Sequence, residues 1–322
     1  MSCLQPFFRE QLVEREIARI KAAGGTAYSN VAVGYNNVDV DAATRHGIPV
    51  GNTPGVLTDT TAEMAVTLTF AAARRLGEAE RYLRAGQYKG WLPTLFLGEL
   101  LVGKTVGIIG AGRIGATYAR MMAEGHKMHV IYYDLYPNDE LEGYLAAYSN
   151  FLTSRGHAAV TCRRAGSIEE LLQAADCISI HTVLDDSTRH LINAERLGLM
   201  KTNAVLVNTS RGPVIKEDDL VAHCRTHPDF RAGLDVFENE PILAEGLNDL
   251  DNVVIVPHIA SATSWTRQGM ATLAASNVAG LLMGYPVWNR PDILPFLEEN
   301  PPQAAPSILN ADGLGLPLAD DH

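Results

Sequence analysis

The sequence predicts an α/β fold with a doubly wound parallel sheet, in a domain inserted into a second, discontinuous domain. Three observations predict this. The chain has 322 residues, enough for about two domains. Short, continuously apolar runs alternate with amphipathic stretches between about residues 99 and 257, and the first run leads into a glycine-rich turn. Apolar strands joined by helical crossovers form parallel sheets that are covered on both faces.

Six apolar runs are the predicted strands of this sheet. They are separated by enough chain for a helical crossover. In order they are Thr105–Ile109, Val130–Tyr133, Cys177–Ile180, Ala204–Val207, Gly233–Phe237 and Val253–Val256. A helix is predicted at Arg113–Glu124, and a further one in the long connection after Asp134, where Leu141, Leu145 and Leu152 recur at helical spacing.

The segments on either side of the sheet are predicted to form the second domain. Upstream, Thr26–Ser29 and Ile48–Gly51 are short predicted strands, and a single long helix from Thr61 to Arg84 follows them. Downstream, a helix is predicted at Ala260–Met283, before a proline-rich tail. The predicted domain boundaries are residues 1–84 and 259–322 for this domain, and 85–258 for the inserted one.

Composition excludes several classes of protein. Lys and Arg number 26 against 37 Asp and Glu, a formal net charge of −11, which argues against a general nucleic-acid or anionic-membrane surface. No apolar stretch reaches the ~18 residues of a membrane span. The four cysteines are scattered and form no CxxC pair, so a disulfide scaffold or a zinc ribbon is not expected, and a reducing compartment fits better. No metal site is predicted.

The glycine-rich turn predicts a dinucleotide site. Residues 110–115 read GAGRIG, directly after a predicted strand and at the start of a predicted helix. Gly110 permits a tight turn, Gly112 lets the backbone approach a pyrophosphate, and Gly115 allows close helix–strand packing. The helix N-terminus then offers N–H groups to the phosphates. Asp134, which follows the next strand, would bind the ribose hydroxyls and repel a 2′-phosphate, so NAD is predicted rather than NADP.

Three polar side chains follow three neighbouring predicted strands. Arg211, Glu240 and His258 lie after the fourth, fifth and sixth runs respectively, so we expect them at the carboxyl edge of the sheet, where ligands bind. Reduction of a 2-oxo acid needs a hydride on C2 and a proton on the oxygen. A histidine can supply the proton, a neighbouring carboxylate can orient it, and an arginine can hold a carboxylate.

The chain resembles the D-isomer-specific 2-hydroxyacid dehydrogenases. The segments GAGRIG, NTSRGPV, GLDVFENEP and VPHIASAT occur in that family's order, and the likeness extends from about Gly24 to Pro317. SNVAVGYNNVDV and GNTPGVLTDTTAEMAVTL resemble its plant-type, NADH-dependent branch. The resemblance implies a Rossmann domain inserted in a flavodoxin-like substrate domain and a homodimer. It also implies reduction of hydroxypyruvate to D-glycerate, with side activity on glyoxylate.

The resemblance also assigns individual residues. Arg211 would hold the substrate, Glu240 would be the carboxylate partner, and His258 would be the proton donor. The backbone of Val33 and Gly34 would receive the substrate carboxylate. Cofactor contacts are implied at Thr61, Gly112, Arg113, Ile114, Asp134, Thr209, Arg211, Asp235 and His258, with Asp235 holding the nicotinamide amide.

Two departures from the family pattern concern the ends of the chain. Family members begin with a longer substrate-domain segment, whereas 28 residues precede Ser29 here, so a truncated substrate domain is expected. The plant branch usually ends in a peroxisomal signal, and Asp320, Asp321 and His322 do not form one. We expect a soluble intracellular protein, in the cytosol or in an organelle.

Two other functions stay open at this point. One is a sister dehydrogenase that acts on another 2-hydroxy acid, such as phosphoglycerate or D-lactate. A phosphorylated substrate would favour extra cations, and the AVGYNN segment, residues 32–37, has none. The other is an NAD-sensing binding protein similar to the corepressors that share this fold.

Overall fold

The computed structural model describes residues 3–5 and 11–319. Its contacts divide the chain into one unit of residues 59–260 and a second unit formed by the segments on either side, up to residue 58 and from residue 261. We call these the inserted unit and the flanking unit. The first division falls at residue 58, whereas the sequence predicted it at 84, because the helix that spans residues 58–73 packs in the core of the inserted unit.

The amino-terminal part of the flanking unit contains three parallel strands. They are β1 (Cys3–Gln5), β2 (Tyr28–Asn30) and β3 (Val50–Gly51), in the order β1-β2-β3, with helices α1 (Glu14–Ala22) and α2 (Val40–Arg45). The expectation of only two strands was therefore wrong. Strand β1 was missed because its three residues lie outside any long apolar run. Ile17, Ile48 and Val50 are buried in the core of this sheet.

The long helix predicted at Thr61–Arg84 is two helices. These are α3 (Thr58–Ala73) and α4 (Leu76–Arg84). The break lies at Arg75, whose φ of 56° is left-handed, and no glycine or proline marks it in the sequence. Ala65, Leu68 and Ala72 of α3 are buried in the same apolar cluster as the first strand of the inserted sheet.

Seven parallel strands form the sheet of the inserted unit. They are β4 (Thr105–Ile109), β5 (His129–Tyr133), β6 (Cys162–Arg164), β7 (Cys177–Ile180), β8 (Val205–Asn208), β9 (Arg231–Leu234) and β10 (Val253–Ile255). Their spatial order is β10-β9-β8-β7-β4-β5-β6. The order reverses between β4 and β7, so their carboxyl ends flank the topological switch point where α/β sheets bind ligands.

The inserted sheet agrees with the predicted α/β doubly wound fold. Strands β4 and β7 have the predicted bounds, while β9 begins two residues earlier than predicted. Strand β6 was not predicted, because its sequence CRR lacks an apolar run. It lies at the edge of the sheet and pairs only with β5 among the described strands, so it needs little apolar surface.

Five helices and two short 3₁₀ turns connect the strands of the inserted unit; one of the turns is Leu247–Asp249, between β9 and β10. The helices are α5 (Arg113–His126), α6 (Asp139–Ser154), α7 (Ile168–Ala174), α8 (Ala194–Leu197) and α9 (Glu217–Thr226), and the other turn is Gly212–Val214. Helix α6 occupies the long connection after Asp134, where a helix was predicted. Its start is capped by Asn138, whose side chain accepts the N–H of Leu141 at 2.9 Å.

The carboxyl-terminal part of the flanking unit is built on α10 (Ser264–Leu282). Thr263 caps this helix, and Asn277 on it donates to the Ser29 hydroxyl at 3.2 Å and to the Asn52 carbonyl at 2.9 Å. These buried amide contacts tie the downstream segment to the three-stranded sheet. In the part of the chain that the structure describes, no helix has the length and apolar character that crossing a membrane requires.

Candidate active site

The three glycines of the 110–115 turn have different steric surroundings. Gly110 has a φ of +91°, and a Cβ there would lie 2.9 Å from the His181 carbonyl carbon. A Cβ on Gly115 would lie 2.0 Å from the Gly110 carbonyl oxygen, so a side chain would push α5 off β4. A Cβ on Gly112 would meet no protein atom within 4 Å. Gly110 and Gly115 are therefore required for the fold of the turn, whereas Gly112 borders open space.

The start of α5 is suited to hold phosphate oxygens. Gly112 is its N-cap and has no side chain to cap the first turn, so Arg113, Ile114 and Gly115 begin the helix without a side-chain acceptor from the N-cap. Uncapped first-turn N–H groups and the helix dipole together favour an anion. Arg113 is exposed and Ile114 is half-buried. The open space beside Gly112 thus fits a pyrophosphate.

Asp134 lies at the carboxyl end of β5 and faces this turn. Its Oδ2 accepts the Ala111 N–H at 2.8 Å, and its Oδ1 accepts the Tyr136 N–H at 3.3 Å. Arg164, at the end of β6, donates to the backbone carbonyls of Asp134 and Leu135, both at 2.8 Å. No motif in the sequence indicated a role for Arg164. These contacts fix the carboxylate beside the glycine turn, where it was predicted to bind a ribose.

Two threonines complete the predicted cofactor contacts in the inserted unit. Thr61 on α3 is 5% exposed, and Thr209, directly after β8, is 7% exposed. The Thr209 hydroxyl is buried without a hydrogen-bond partner among the described residues. A buried hydroxyl without a partner is costly, and a bound group near the end of β8 would supply one. The residues present therefore fit a dinucleotide.

His258 and Glu240 form a direct pair after β9 and β10. His258 Nδ1 lies 2.9 Å from Glu240 Oε2, and their side chains are 30% and 32% exposed. Glu240 Oε1 also accepts the Phe237 N–H at 3.0 Å. Burial raises the pKa of Glu240, but the hydrogen bond and charge of His258, the Phe237 N–H and the charge of Arg211 outweigh it, so the pKa is lowered. Glu240 is thus held as a carboxylate facing the imidazole.

Arg211 follows β8 and precedes the Gly212–Val214 turn. Its Nη1 donates to the Ser210 carbonyl at 2.7 Å. Burial lowers the pKa of its guanidinium, while the charge of Glu240 raises it in part. A Cβ on Gly212 would lie 1.9 Å from the Phe237 carbonyl, so the turn that carries Arg211 lies directly against the loop that carries Glu240. The structure brings Arg211, Glu240 and His258 to one edge of the sheet.

Asp235 organises the loop that carries His258. It is fully buried, and its carboxylate accepts the N–H groups of Ile259 at 2.6 Å and Ala260 at 2.9 Å. Its backbone carbonyl accepts the His258 N–H at 2.8 Å. Burial raises its pKa, and the two backbone N–H groups oppose that shift only in part. A contact with the nicotinamide amide stays a prediction for this residue.

Sequence reasoning missed a cluster behind these loops. Glu217, the first residue of α9, and Glu238 each accept the other's backbone N–H, and His190 Nε2 lies 2.6 Å from Glu238 Oε1. The His190 backbone N–H donates to the Pro213 carbonyl at 2.8 Å. The cluster therefore joins the turn after Arg211 to the loop before Glu240. Its contacts run between side chains and backbone over 21 or more residues, which leaves no sequence pattern.

Val33 and Gly34 belong to the flanking unit, in the segment after β2. The Val33 carbonyl accepts from Asn52 Nδ2 at 2.9 Å, and the Gly34 carbonyl accepts from Asn30 Nδ2 at 3.3 Å. Within the described residues, neither of their N–H groups donates to a protein acceptor. Anchored carbonyls with undonated N–H groups suit the predicted contact with a carboxylate. Among these same residues, no group of three or more His, Cys, Asp or Glu side chains could hold a metal ion.

The chain matches a family model over the inserted unit. The model is described as "D-isomer specific 2-hydroxyacid dehydrogenase, NAD binding domain", and it matches residues 66–260. The chain belongs to this family of dehydrogenases. It thus carries the family's NAD-binding domain, in agreement with the glycine turn at the switch point and the fold predicted from the sequence.

Curated relatives and solved structures in this family resemble the chain over most of its length. It is 59% identical to the peroxisomal glycerate dehydrogenase of Arabidopsis thaliana over 95% of this chain and 80% of the relative. It is 45% identical to the glyoxylate reductase of Thermococcus litoralis over 79% of this chain and 72% of the relative. A Thermus thermophilus crystal structure shares 34% identity and a TM-score of 0.76, covering 96% of this chain and 85% of that one.

Proposed function

We propose that this 2-hydroxyacid dehydrogenase reduces hydroxypyruvate to D-glycerate, and glyoxylate to glycolate, with NADH. The observation that carries the proposal is the 2.9 Å contact between His258 Nδ1 and Glu240 Oε2, beside Arg211 and at the sheet edge that bears the dinucleotide turn. A proton donor, a carboxylate-binding cation and a dinucleotide turn at one edge are the parts that reduction of a 2-oxo acid needs.

His258 is the proposed proton donor. The Glu240 carboxylate accepts a hydrogen bond from Nδ1, which orients the ring. The proton is then delivered from the other ring nitrogen, Nε2, to the carbonyl oxygen as it becomes a hydroxyl. Glu240 suits this role because its lowered pKa keeps it ionised beside the imidazole throughout the neutral range.

Arg211 is the proposed anchor for the 2-oxo acid. Its planar guanidinium can bind a carboxylate through two parallel hydrogen bonds and can polarise the adjacent carbonyl. The half-buried setting of Arg211 strengthens such contacts, because little water competes for them. The undonated N–H groups of Val33 and Gly34 are proposed as further donors to the substrate carboxylate.

The glycine turn, Asp134, Thr61, Thr209 and Asp235 are proposed to hold the cofactor. NADH, when bound, supplies the hydride that reduces C2 of the substrate. The N-terminus of α5 would hold the pyrophosphate, and the Asp134 carboxylate would bind the ribose hydroxyls. A 2′-phosphate would meet the negative charge of Asp134, so NADH is favoured over NADPH.

The substrates are proposed from the relatives. The Arabidopsis protein is named a glycerate dehydrogenase and the Thermococcus protein a glyoxylate reductase. The 32–37 segment bears no Lys or Arg, which disfavours a phosphorylated substrate at the proposed carboxylate site. Hydroxypyruvate and glyoxylate both have the carboxylate that Arg211 would bind, and neither has a second charged group.

A substrate panel with both cofactors tests the proposal. NADH or NADPH oxidation is followed with hydroxypyruvate, glyoxylate, pyruvate and 3-phosphohydroxypyruvate. We expect the highest kcat/KM for hydroxypyruvate with NADH. A clear preference for pyruvate or the phosphorylated acid would identify a sister dehydrogenase instead. Tight NADH binding with negligible turnover on all four acids would identify a corepressor-like binding protein.

A homodimer is proposed from an exposed apolar segment of the inserted unit. Residues 76–102 include Trp91, 80% exposed, and Leu100, 70% exposed. The other exposed apolar residues of this segment are Leu76, Leu83, Tyr88, Leu92, Leu97 and Val102. Exposed large apolar side chains concentrated in one segment are a feature of protein interfaces. Sedimentation should give twice the chain mass for the wild type and a shift toward the monomer for Trp91→Asp.

The location is proposed from the cysteines and a relative. Cys162, Cys177 and Cys224 are free thiols. Burial raises the pKa of each to about 12, so they are unreactive thiols suited to a reducing compartment. The Arabidopsis relative is named peroxisomal. An intracellular location is therefore proposed, and fractionation of cells that express the tagged chain would test it.

A further inference from the structure

A pocket opens at the amino ends of β9 and β10, on the edge of the sheet opposite to the candidate active site. It has a volume of about 350 Å³ and lies within the inserted unit. Three arginines line it: Arg75 before α4, Arg225 on α9 and Arg231 at the start of β9. Neither the glycine turn nor Arg211, Glu240 or His258 lines this pocket.

Arg231 is buried without a direct counter-ion. It is 7% exposed, and its guanidinium makes no ion pair or hydrogen bond within the described residues. Burial and the neighbouring charge of Arg75 lower its pKa, although more distant carboxylates, including Glu78, partly oppose the shift. A guanidinium stays charged in proteins, so burial without an anion is unfavourable. A bound anion would relieve this cost.

Two of the three acidic residues of the lining are already engaged. Both oxygens of Glu78 accept from Arg75, through Nε and Nη2 at 2.7 Å each. Asp251, also in the lining, pairs with Arg81 at 2.7 Å. Asp249 is the third acidic residue of the lining, so the lining holds three arginines and three acidic residues. With Glu78 and Asp251 paired, the described lining keeps two arginines without an ion pair, Arg225 and Arg231, against one such carboxylate, Asp249. An anion beside Arg231 would therefore pair with a cation that lacks a direct counter-ion.

The second cation and the wall of the pocket are held in place. Arg225 lies against Gly246, because a Cβ on that glycine would fall 1.8 Å from Arg225 Nη2. Its guanidinium, like that of Arg231, has no ion pair among the residues described. Asn252 Nδ2 donates to the carbonyls of Cys224 at 3.0 Å and Phe230 at 2.8 Å, so the loop between α9 and β9 is braced. The pocket therefore needs little reorganisation to bind an anion.

We propose that this pocket binds a phosphate-bearing anion, either inorganic phosphate or a phosphate monoester, between Arg225 and Arg231. Forked guanidinium donors match the several acceptor oxygens of a phosphate group. The site is separate from the cofactor and the 2-oxo acid, because it lies at the amino ends of the strands rather than at their carboxyl ends. Occupation would supply the counter-ion that buried Arg231 lacks.

Calorimetric titration of the NADH-saturated protein tests the proposal, since bound NADH keeps phosphate out of the glycine turn. The probes are inorganic phosphate and glycerol phosphate. We expect saturable binding to the wild type, at least ~tenfold weaker binding to Arg231→Met, and clear weakening in Arg225→Ala. Arg155→Met, which changes an exposed arginine after α6, is the matched control and should bind like the wild type.

Each outcome decides between the alternatives. Tighter binding of glycerol phosphate than of inorganic phosphate would support the site and assign it to a phosphate monoester. Tighter binding of inorganic phosphate would support the site and assign it to the free ion. Equal binding by the wild type, Arg231→Met and Arg225→Ala would overturn the proposal, as would the absence of saturable binding to the wild type. Arg225 is exposed, so its variant tests the site even if Arg231→Met does not fold.

Discussion

The backbone N–H of Glu217 donates to Glu238 Oε2 at 3.0 Å, and the backbone N–H of Glu238 donates to Glu217 Oε1 at 2.5 Å. Glu217 is only 3% exposed, and it also accepts the Ala244 N–H at 3.2 Å. This reciprocal pair fastens the start of α9 to the loop that leads to Glu240. The proposed catalytic pair therefore rests on a support that is itself buried and hydrogen-bonded.

Removal of this support should lower both stability and turnover. Glu238→Ala leaves the Glu217 N–H without its acceptor, so the free energy of unfolding should fall by about 1–3 kcal/mol. Because Glu240 lies two residues away, kcat should fall while the Kd for NADH stays unchanged. Glu238→Gln keeps an acceptor oxygen, so its free energy of unfolding and its kcat should fall less than those of Glu238→Ala. Denaturant unfolding and steady-state kinetics measure these effects, and wild-type values for Glu238→Ala would refute the supporting role.

Alanine should lower stability at one glycine of the 110–115 turn and leave it unchanged at another. Gly110→Ala places a Cβ 2.9 Å from the His181 backbone at a φ of +91°, which should cost about 1–3 kcal/mol of folding free energy. Gly112→Ala meets no protein atom within 4 Å and has a φ of −71°, so its stability should match the wild type. Its methyl group would occupy the proposed phosphate space, and the NADH Kd should rise on the order of tenfold or more.

Thermal unfolding and NADH fluorescence titration separate these two effects. NADH binding by Gly112→Ala as tight as that of the wild type would contradict the assignment of the open space beside Gly112 to the cofactor's phosphates. Full stability of Gly110→Ala would contradict the requirement for glycine at that position.

The strands that sequence reasoning located are those whose burial requires an apolar run. Strands β4 and β7 lie at the centre of the sheet, are covered on both faces and have continuous apolar sequences. Strand β6 was not predicted, because an edge strand with Arg163 and Arg164 needs no such run. The break at Arg75 was not predicted, because arginine does not favour the left-handed φ that Arg75 has.

Some residues of the candidate site could likewise be predicted from the sequence, and others could not. Arg211, Glu240 and His258 were predictable because each follows a strand, and parallel strands bring their carboxyl ends to one edge. Glu217, Glu238 and His190 were not predictable, since they act through backbone contacts between distant segments. The anion pocket was also missed, because Arg75, Arg225 and Arg231 are far apart in the sequence and meet only in the folded chain.

Two substitutions at Asp134 separate its charge from its hydrogen bond. Asp134→Asn keeps an oxygen that can accept the Ala111 N–H, at 2.8 Å in the wild type, but removes the negative charge. It should lower the preference for NADH over NADPH with little change in stability. Asp134→Ala removes both and should also weaken NADH itself. The ratio of kcat/KM for the two cofactors measures the effect, and a wild type that prefers NADPH would overturn the assignment.

The pair of Glu240 and His258 predicts a pH dependence of stability. The pKa of Glu240 is lower in the folded state than its ordinary value of 4.5, so the folded protein binds fewer protons than the unfolded chain between the two values. The stability that Glu240 contributes is therefore present above about pH 5 and is lost as the pH falls through its folded pKa. Glu240→Gln lacks this contribution, so its unfolding free energy should approach that of the wild type in acid.

Denaturant unfolding of the wild type and Glu240→Gln across pH 3 to 7 measures this difference. A gap between the two proteins that stays constant or widens in acid would contradict a lowered pKa for Glu240.

The most direct test of the proposed reaction is NADH oxidation with hydroxypyruvate by the wild type and by His258→Ala, with the NADH Kd measured for both. We expect turnover by the wild type, a kcat lowered by ~10²–10⁴-fold in His258→Ala, and an unchanged NADH Kd, because general acid catalysis contributes about that factor. Equal turnover by the two proteins would contradict His258 as the proton donor, and a wild type that binds NADH without turnover would contradict the reductase itself.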